Sequence, residues 1–189
     1  MMGRTDAAGW AAAITHQPDV LYLDTETTGL GRADEIVDIA VLDNAGRVLL
    51  NTLVKPRRPI PPDATAIHRI SDHHVRNAPA WPEVYRLLIE LLGSYHHVVV
   101  YNADFDRRLI GQSCSVHLLP APNTQWHCAM KQYAVFAGDR SGYYGGYRWF
   151  KLEQAIARLG LSDLAEHRAL ADARACRAVV HAMACQQVA

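Results

Sequence analysis

Apolar and polar residues change period along this chain, and the changes mark its elements. Val20–Asp24 is an apolar run closed by an acid and reads as a buried strand. Ile36–Asp43 alternates apolar and polar residues and reads as a second strand. Asn44-Ala45-Gly46 is a tight turn, and Arg47–Val54 returns as a third strand. Val98-Val99-Val100 and Asn123–His127 supply a fourth and a fifth. Helical spacing governs much of the rest. Residues 7–15 form a short leading helix, and Asp63–Arg69 another. Trp81–Gly93 carries Val84, Leu87, Leu88, Leu91 and Leu92 on one side. Asp104–Ser113, Cys128–Ala137, Leu152–Gly160 and Ala169–Met183 follow as helices. Pro56, Pro59, Pro61 and Pro62 force an extended loop, and Gly138–Gly146 is a Gly- and Tyr-rich loop. A strand meander followed by β-α alternation predicts an α/β fold, a mixed sheet flanked by helices. Residues 18–185 are expected to form a single domain behind a helical extension over residues 1–17.

Within this pattern some acids sit where apolar residues belong. Asp24 and Glu26 are two apart at the end of the first strand and project to the same face. Like charges placed side by side on a buried strand repel and are costly to desolvate, so they call for a cation. Oxygen ligands without nearby Cys or His select a hard ion, Mg²⁺ or Mn²⁺. Asp106 shares a helix face with Leu109 and Ile110 at spacings of three and four. Asp172 lies on the stripe Ala169, Cys176, Val179, Val180 and Met183 of the last helix. Asp104 suits the first turn of its helix, where the dipole favours an acid, and Glu166 and Asp163 read as solvated. His167, five residues before Asp172, stands where an imidazole near neutral pKa can reach water at such a site.

Charge and composition narrow the classes. Nineteen cationic residues balance nineteen acidic ones, which argues against a broad basic surface for duplex nucleic acid but leaves room for a local basic rim. No run approaches the roughly 18 apolar residues of a membrane span. The four cysteines have no C-x-x-C spacing and no leader sequence is evident, so a cytoplasmic protein with reduced thiols is expected.

Taken together, Asp24-x-Glu26, Asn102-Ala103-x-Phe105-Asp106 and His167-x-x-x-x-Asp172 resemble the three motifs of the DEDDh 3′–5′ exonucleases. That group includes the proofreading ε subunit of bacterial replicative polymerases, RNase T, oligoribonuclease and the TREX enzymes. Asp24-Thr-Glu-Thr-Thr-Gly29 matches the first motif in full, and Ala66-Ile67-His68-Arg69-Ile70 resembles a segment near the 3′ end in relatives, with Arg69 where Gly is usual. The likeness spans about residues 18–184. It implies an RNase H-like fold with a central mixed five-stranded sheet and helices on both faces. It also implies two divalent ions, with Asp24 bridging both, Glu26 and Asp172 completing the shell of one, Asp106 holding the other, and His167 as general base. Thr27, Thr28, Gly29, Leu30, His68, Asn102 and Phe105 are the implied substrate contacts. The substrate implied first is a 3′ end of DNA, single-stranded or overhanging, with release of nucleoside 5′-monophosphates. RNA trimming in the manner of RNase T is the alternative. Docking on a polymerase is a third reading, disfavoured because the residues after Asp172 only finish the last helix. A homodimer is expected by analogy with stand-alone members, although no apolar patch in the sequence marks its interface. The loop Gly142–Trp149 either stacks on bases or simply anchors the next helix through Trp149 and Phe150.

Overall fold

The computed structural model describes residues 3–141, 146–161 and 167–186. Five segments pair into one sheet: Val20–Thr27 (β1), Ile36–Asp43 (β2), Val48–Leu53 (β3), His97–Val100 (β4) and Gln125–Cys128 (β5). Their order is β3-β2-β1-β4-β5. β2 is antiparallel to both neighbours, whereas β1, β4 and β5 are parallel. The mixed sheet expected from the sequence is therefore present.

β1 runs further than its apolar pattern implies. Pairing with β2 continues through Asp24↔Ala40 and Glu26↔Asp38, and the register slips only after Glu26. Asp24 and Glu26 are thus held in the ladder rather than in a turn. The hairpin after β2 forms at the foreseen place, with Gly46 at φ 87° and its N–H donating to Asp43 O at 2.9 Å.

Helices cover both faces. Arg4–His16 (α1), Ala129–Ala137 (α6) and Ala169–Cys185 (α8) pack on the face carrying Val20, Tyr22, Ala40, Leu42 and Val99. Ala7, Ala8 and Ala11 are buried, and their small side chains let α1 approach α8 closely. Trp81–Ser94 (α4) and Ala103–Val116 (α5) pack on the face carrying Leu21, Leu23, Ile39, Val41 and Val98. Leu109 and Ile110 are fully buried there, each stabilising the fold by ~1.5–3 kcal/mol.

Two expectations change. β2 is buried along its whole length instead of presenting a polar face, because helices cover both sides of the sheet. Its polar residues Asp38 and Asp43 are therefore inside. Pro62–His68 (α2) is followed by a short helix, Asp72–Val75 (α3), that the sequence pattern did not mark. Its single turn buries only Val75, too little for helical periodicity to register. Leu152–Arg158 (α7) completes the set.

Candidate active site

Because β1 alternates, Asp24 and Glu26 face the same side as Val20 and Tyr22, the side covered by α8. Asp172, in the first turn of α8, reaches the same point. One carboxylate oxygen from each of Asp24, Glu26 and Asp172 lies within 4.8 Å of the others. All three are half-buried. None of them accepts a hydrogen bond or joins an ion pair with any described residue.

Asp106 arrives from the opposite face, on the first turn of α5. It is 3% exposed, and its Oδ1 accepts a hydrogen bond from the Thr25 hydroxyl at 2.9 Å. Thr25 points to the α5 side because it sits between Asp24 and Glu26 in the pleat. The end of β1 thus gathers acids from both layers. This is also the carboxyl end of the parallel strands, where open α/β sheets bind ligands.

The electrostatics follow from crowding. Burial, then the charges of Asp106, Asp172, Glu26 and Asp38, push the Asp24 carboxyl well above its usual range. Burial and the same acidic surroundings push Glu26 up to about 8. Burial raises Asp106 to about 7 against the bond from Thr25, and Asp172 to about 6. Three unbonded carboxylates with no Cys or His among them fit a hard divalent cation, which would keep all of them ionised.

His167 stands at the mouth of this cleft, exposed, with left-handed backbone at φ 47°. With Asp24, Glu26, Asp106 and Asp172 it lines one recess of about 200 Å³, along with Asn102 and Phe105. Next to it, Arg168 Nε donates to Asp38 Oδ2 at 2.8 Å. Asp38 is 1% exposed and pairs across the ladder with Glu26. The segment bearing His167 is therefore fastened to β2 beside the acids. Neither Asp38 nor Arg168 was assigned from the sequence. The only local signals were an acid inside a strand and an Arg inside the third motif.

A larger recess of about 1130 Å³ opens from the same mouth, between His68, Arg69, Asn102, Lys151, His167 and Arg168. The remaining anticipated contacts distribute unevenly around it. Leu30 is 80% exposed. Thr27 Oγ1 donates to Gly29 O at 2.8 Å, and Thr28 Oγ1 donates to Asp34 Oδ1 at 2.9 Å, so both hydroxyls close their own turn. A Cβ at Gly29 would meet Asp34 Oδ2 at 2.8 Å, so any larger residue there would displace that carboxylate. His68 is buried, accepting the Ile70 N–H at Nδ1 and facing Thr27 O through Nε2 at 3.2 Å. Both ring nitrogens thus tie α2 to β1, and burial lowers the pKa of the ring. Its neighbour Ile67 is 58% exposed and lines the large recess. Residues 142–145 of the Gly- and Tyr-rich loop, and Asp163 and Glu166, lie outside the described residues. Beyond that loop Phe150 is buried edge-on against Tyr133, whereas Trp149 is 62% exposed.

Comparison with known proteins agrees with this geometry. The exonuclease family RNase_T matches residues 21–180. The chain belongs to that exonuclease family. It is 43% identical over 175 residues to "Uncharacterized exonuclease CP81" of Escherichia phage 186, covering 89% of each chain. It is 30% identical over 171 residues to the DNA polymerase III subunit epsilon of Treponema pallidum, covering 88% of this chain and 77% of that one. Among solved structures, Exonuclease X in complex with 5′ overhanging duplex DNA superposes with a TM-score of 0.66 at 28% identity, over 90% of this chain and 94% of that one. The nuclease domain of 3′hExo, a DEDDh family member bound to rAMP, superposes with a TM-score of 0.71 at 17% identity, over 88% and 92%, and so shares the fold. The RNase H-like fold and the DEDDh exonuclease family read from the motifs both hold, and the protein is a hydrolase of nucleic acid. Among the described residues no helix is long and apolar enough to cross a membrane.

Proposed function

We propose that this exonuclease removes nucleotides from the 3′ end of DNA, releasing nucleoside 5′-monophosphates in a metal-dependent reaction. The observation that carries the reading is the set of three carboxylates, Asp24, Glu26 and Asp172, left without a partner among the described residues and standing beside Asp106 and His167. These carboxylates, with Asp106, would hold two hard divalent cations, Mg²⁺ or Mn²⁺, which neutralise phosphodiester charge and acidify bound water. His167 stands at the mouth of the recess, where an imidazole nitrogen accepts the proton of the attacking water. The water oxygen forms the new bond to phosphorus. The bond to the 3′ oxygen of the preceding nucleotide breaks, and that oxygen takes a proton from solvent and leaves as a hydroxyl. Arg168, tied to Asp38, holds the His167 backbone near the acids. The larger recess beside His167 accommodates the terminal nucleotide. DNA is favoured because relatives matched over most of their length include a DNA polymerase subunit and an exonuclease seen with duplex DNA.

The test is digestion of matched 5′-labelled DNA and RNA oligonucleotides with Mg²⁺, with Mn²⁺ and with EDTA, beside Asp172→Ala. A ladder shortening from the 3′ end of DNA, lost in EDTA and in the variant, is expected. Preferential shortening of RNA would overturn the DNA assignment and retain the chemistry. Persistent activity in Asp172→Ala would overturn the site.

A further inference from the structure

A second, shallower recess of about 290 Å³ lies away from the acids, on the extended loop after β3 and on α3. Lys55, Arg57, Arg58 and Arg76 line it, all exposed. None of these four cations has an ion-pair partner among the described residues. The acid in the recess, Asp72, has its Oδ1 engaged by the Ile60 N–H at 3.0 Å. In a chain whose formal charge is zero, this is a marked local excess. Three of the cations alternate with Pro56 and Pro59, whose fixed φ stiffens the backbone that presents them.

The recess is coupled to the acid site by position and by hydrogen bonds. Glu26 pairs with Asp38, and Asp38 pairs with Leu53. β3 runs parallel to β1, so the chain beyond Leu53 leaves the sheet at the same end as the chain beyond Glu26. Two strand spacings and two further residues put the Lys55 backbone about 12 Å from that of Glu26. The Arg57 N–H donates to both Glu35 carboxylate oxygens at 3.0–3.1 Å, and Thr28 N–H donates to Glu35 O at 2.9 Å. The loop is thereby locked to the turn that follows Glu26.

From this we infer that the Lys55–Arg76 recess grips backbone phosphates of the nucleic acid three or four nucleotides back from the 3′ end that lies among the acids. The inference rests on the proposed function above. Arginine forks suit phosphate oxygens, and such contacts fix register without reading sequence. Measured along the axis of a helical strand, at ~3.4 Å of rise per nucleotide, a span of about 12 Å corresponds to three to four nucleotides.

The test uses Arg58→Glu/Arg76→Glu, which leaves Arg57 and its bond to Glu35 in place and touches no residue of the acid site. KM and kcat are measured on a DNA length series from two to twelve nucleotides, with Mg²⁺. Dinucleotide cleavage and thermal stability are expected to match the wild type. KM is expected to rise roughly tenfold once the substrate exceeds about four nucleotides, and the salt slope for the long single strand to fall by about 1.4, two contacts at ~0.7 each. An equal effect on dinucleotide and twelve-mer, or none on either, would overturn the inference. A loss confined to binding of polyglutamate would overturn it too, and point to an acidic protein partner. Should the wild type cleave nothing, the proposed function fails separately. Anisotropy of a labelled twelve-mer in EDTA then decides the recess by itself: equal binding by wild type and variant would overturn it.

Discussion

β1 and β2 are neighbours in the sheet and each carries two acids, but they treat them in opposite ways. On β2, Asp38 and Asp43 are almost fully buried, and each has an arginine: Arg168 at 2.8 Å and Arg47 at 2.5 Å. Burial alone would raise the Asp43 carboxyl, but bonds from the Arg47 backbone and guanidinium outweigh it and hold it below the usual range. On β1, Asp24 and Glu26 are half-buried, have no cation bonded to them among the described residues, and are raised instead. Asp172 joins the unpaired set from α8. Asp38 and Asp43 are neutralised within the chain, whereas Asp24, Glu26 and Asp172 meet no cation among the described residues.

The largest effect should come from the unpaired strand. Asp24→Asn is expected to lower kcat by at least about a thousandfold, the loss of several kcal/mol of transition-state stabilisation. The same change should leave the metal-free protein as stable as the wild type or more so, since it removes a repelled buried charge. Chemical denaturation in EDTA measures this. A marked loss of stability would mean that Asp24 has a structural partner after all.

Breaking the paired strand should do the reverse. Asp38→Ala leaves Arg168 unpaired and frees the segment that carries His167. Stability is expected to fall by about 1–3 kcal/mol, reduced from the fully buried case because Arg168 is half-exposed. kcat should fall roughly tenfold by misplacing His167, with KM for short substrates little changed. Unaltered kcat would remove the positioning role of this pair.

A further effect appears in pH. Folded-state pKa values of about 8 for Glu26, 7 for Asp106 and 6 for Asp172 lie above those of the unfolded chain. The folded metal-free protein therefore binds more protons, and its stability falls as pH rises from about 4 to 8. Thermal scans in EDTA should show Tm declining over that interval. Mg²⁺ should restore Tm more at pH 8 than at pH 5, because the competing protons are then gone. A flat profile in EDTA would contradict the crowding of the acids. The smallest effect belongs to Arg47→Ala. Its side chain is 75% exposed, so activity and Tm should stay close to the wild type despite the loss of a short ion pair.

Much of this arrangement was readable beforehand, and the reason is periodicity. Alternation on one strand placed Asp24 and Glu26 together, and helical spacing placed Asp106 with Leu109 and Ile110 and Asp172 with Cys176. Those patterns are local, so they survive without knowledge of the fold. The roles of Thr27, Thr28 and His68 were harder to read. Their polar atoms engage partners within the protein, and His68 meets Thr27 from 41 residues away. Nothing in a linear pattern reports whether a hydroxyl or an imidazole is already bonded.

By itself the sequence determined the sheet, the helices other than α3, the exonuclease family and the acids that converge, because each rests on spacing within a single element or on motifs carried whole. Only the tertiary structure decided which acids are neutralised and which are not. Asp38 finds Arg168 across 130 residues, and two helices must cover β2 before its acids become buried. It also decided that the cations of the Pro-rich loop and Arg76, just past α3, share one recess at the end of the sheet that gathers Asp24 and Glu26. Charge pairing depends on distances between elements, and those distances exist only once the layers have packed.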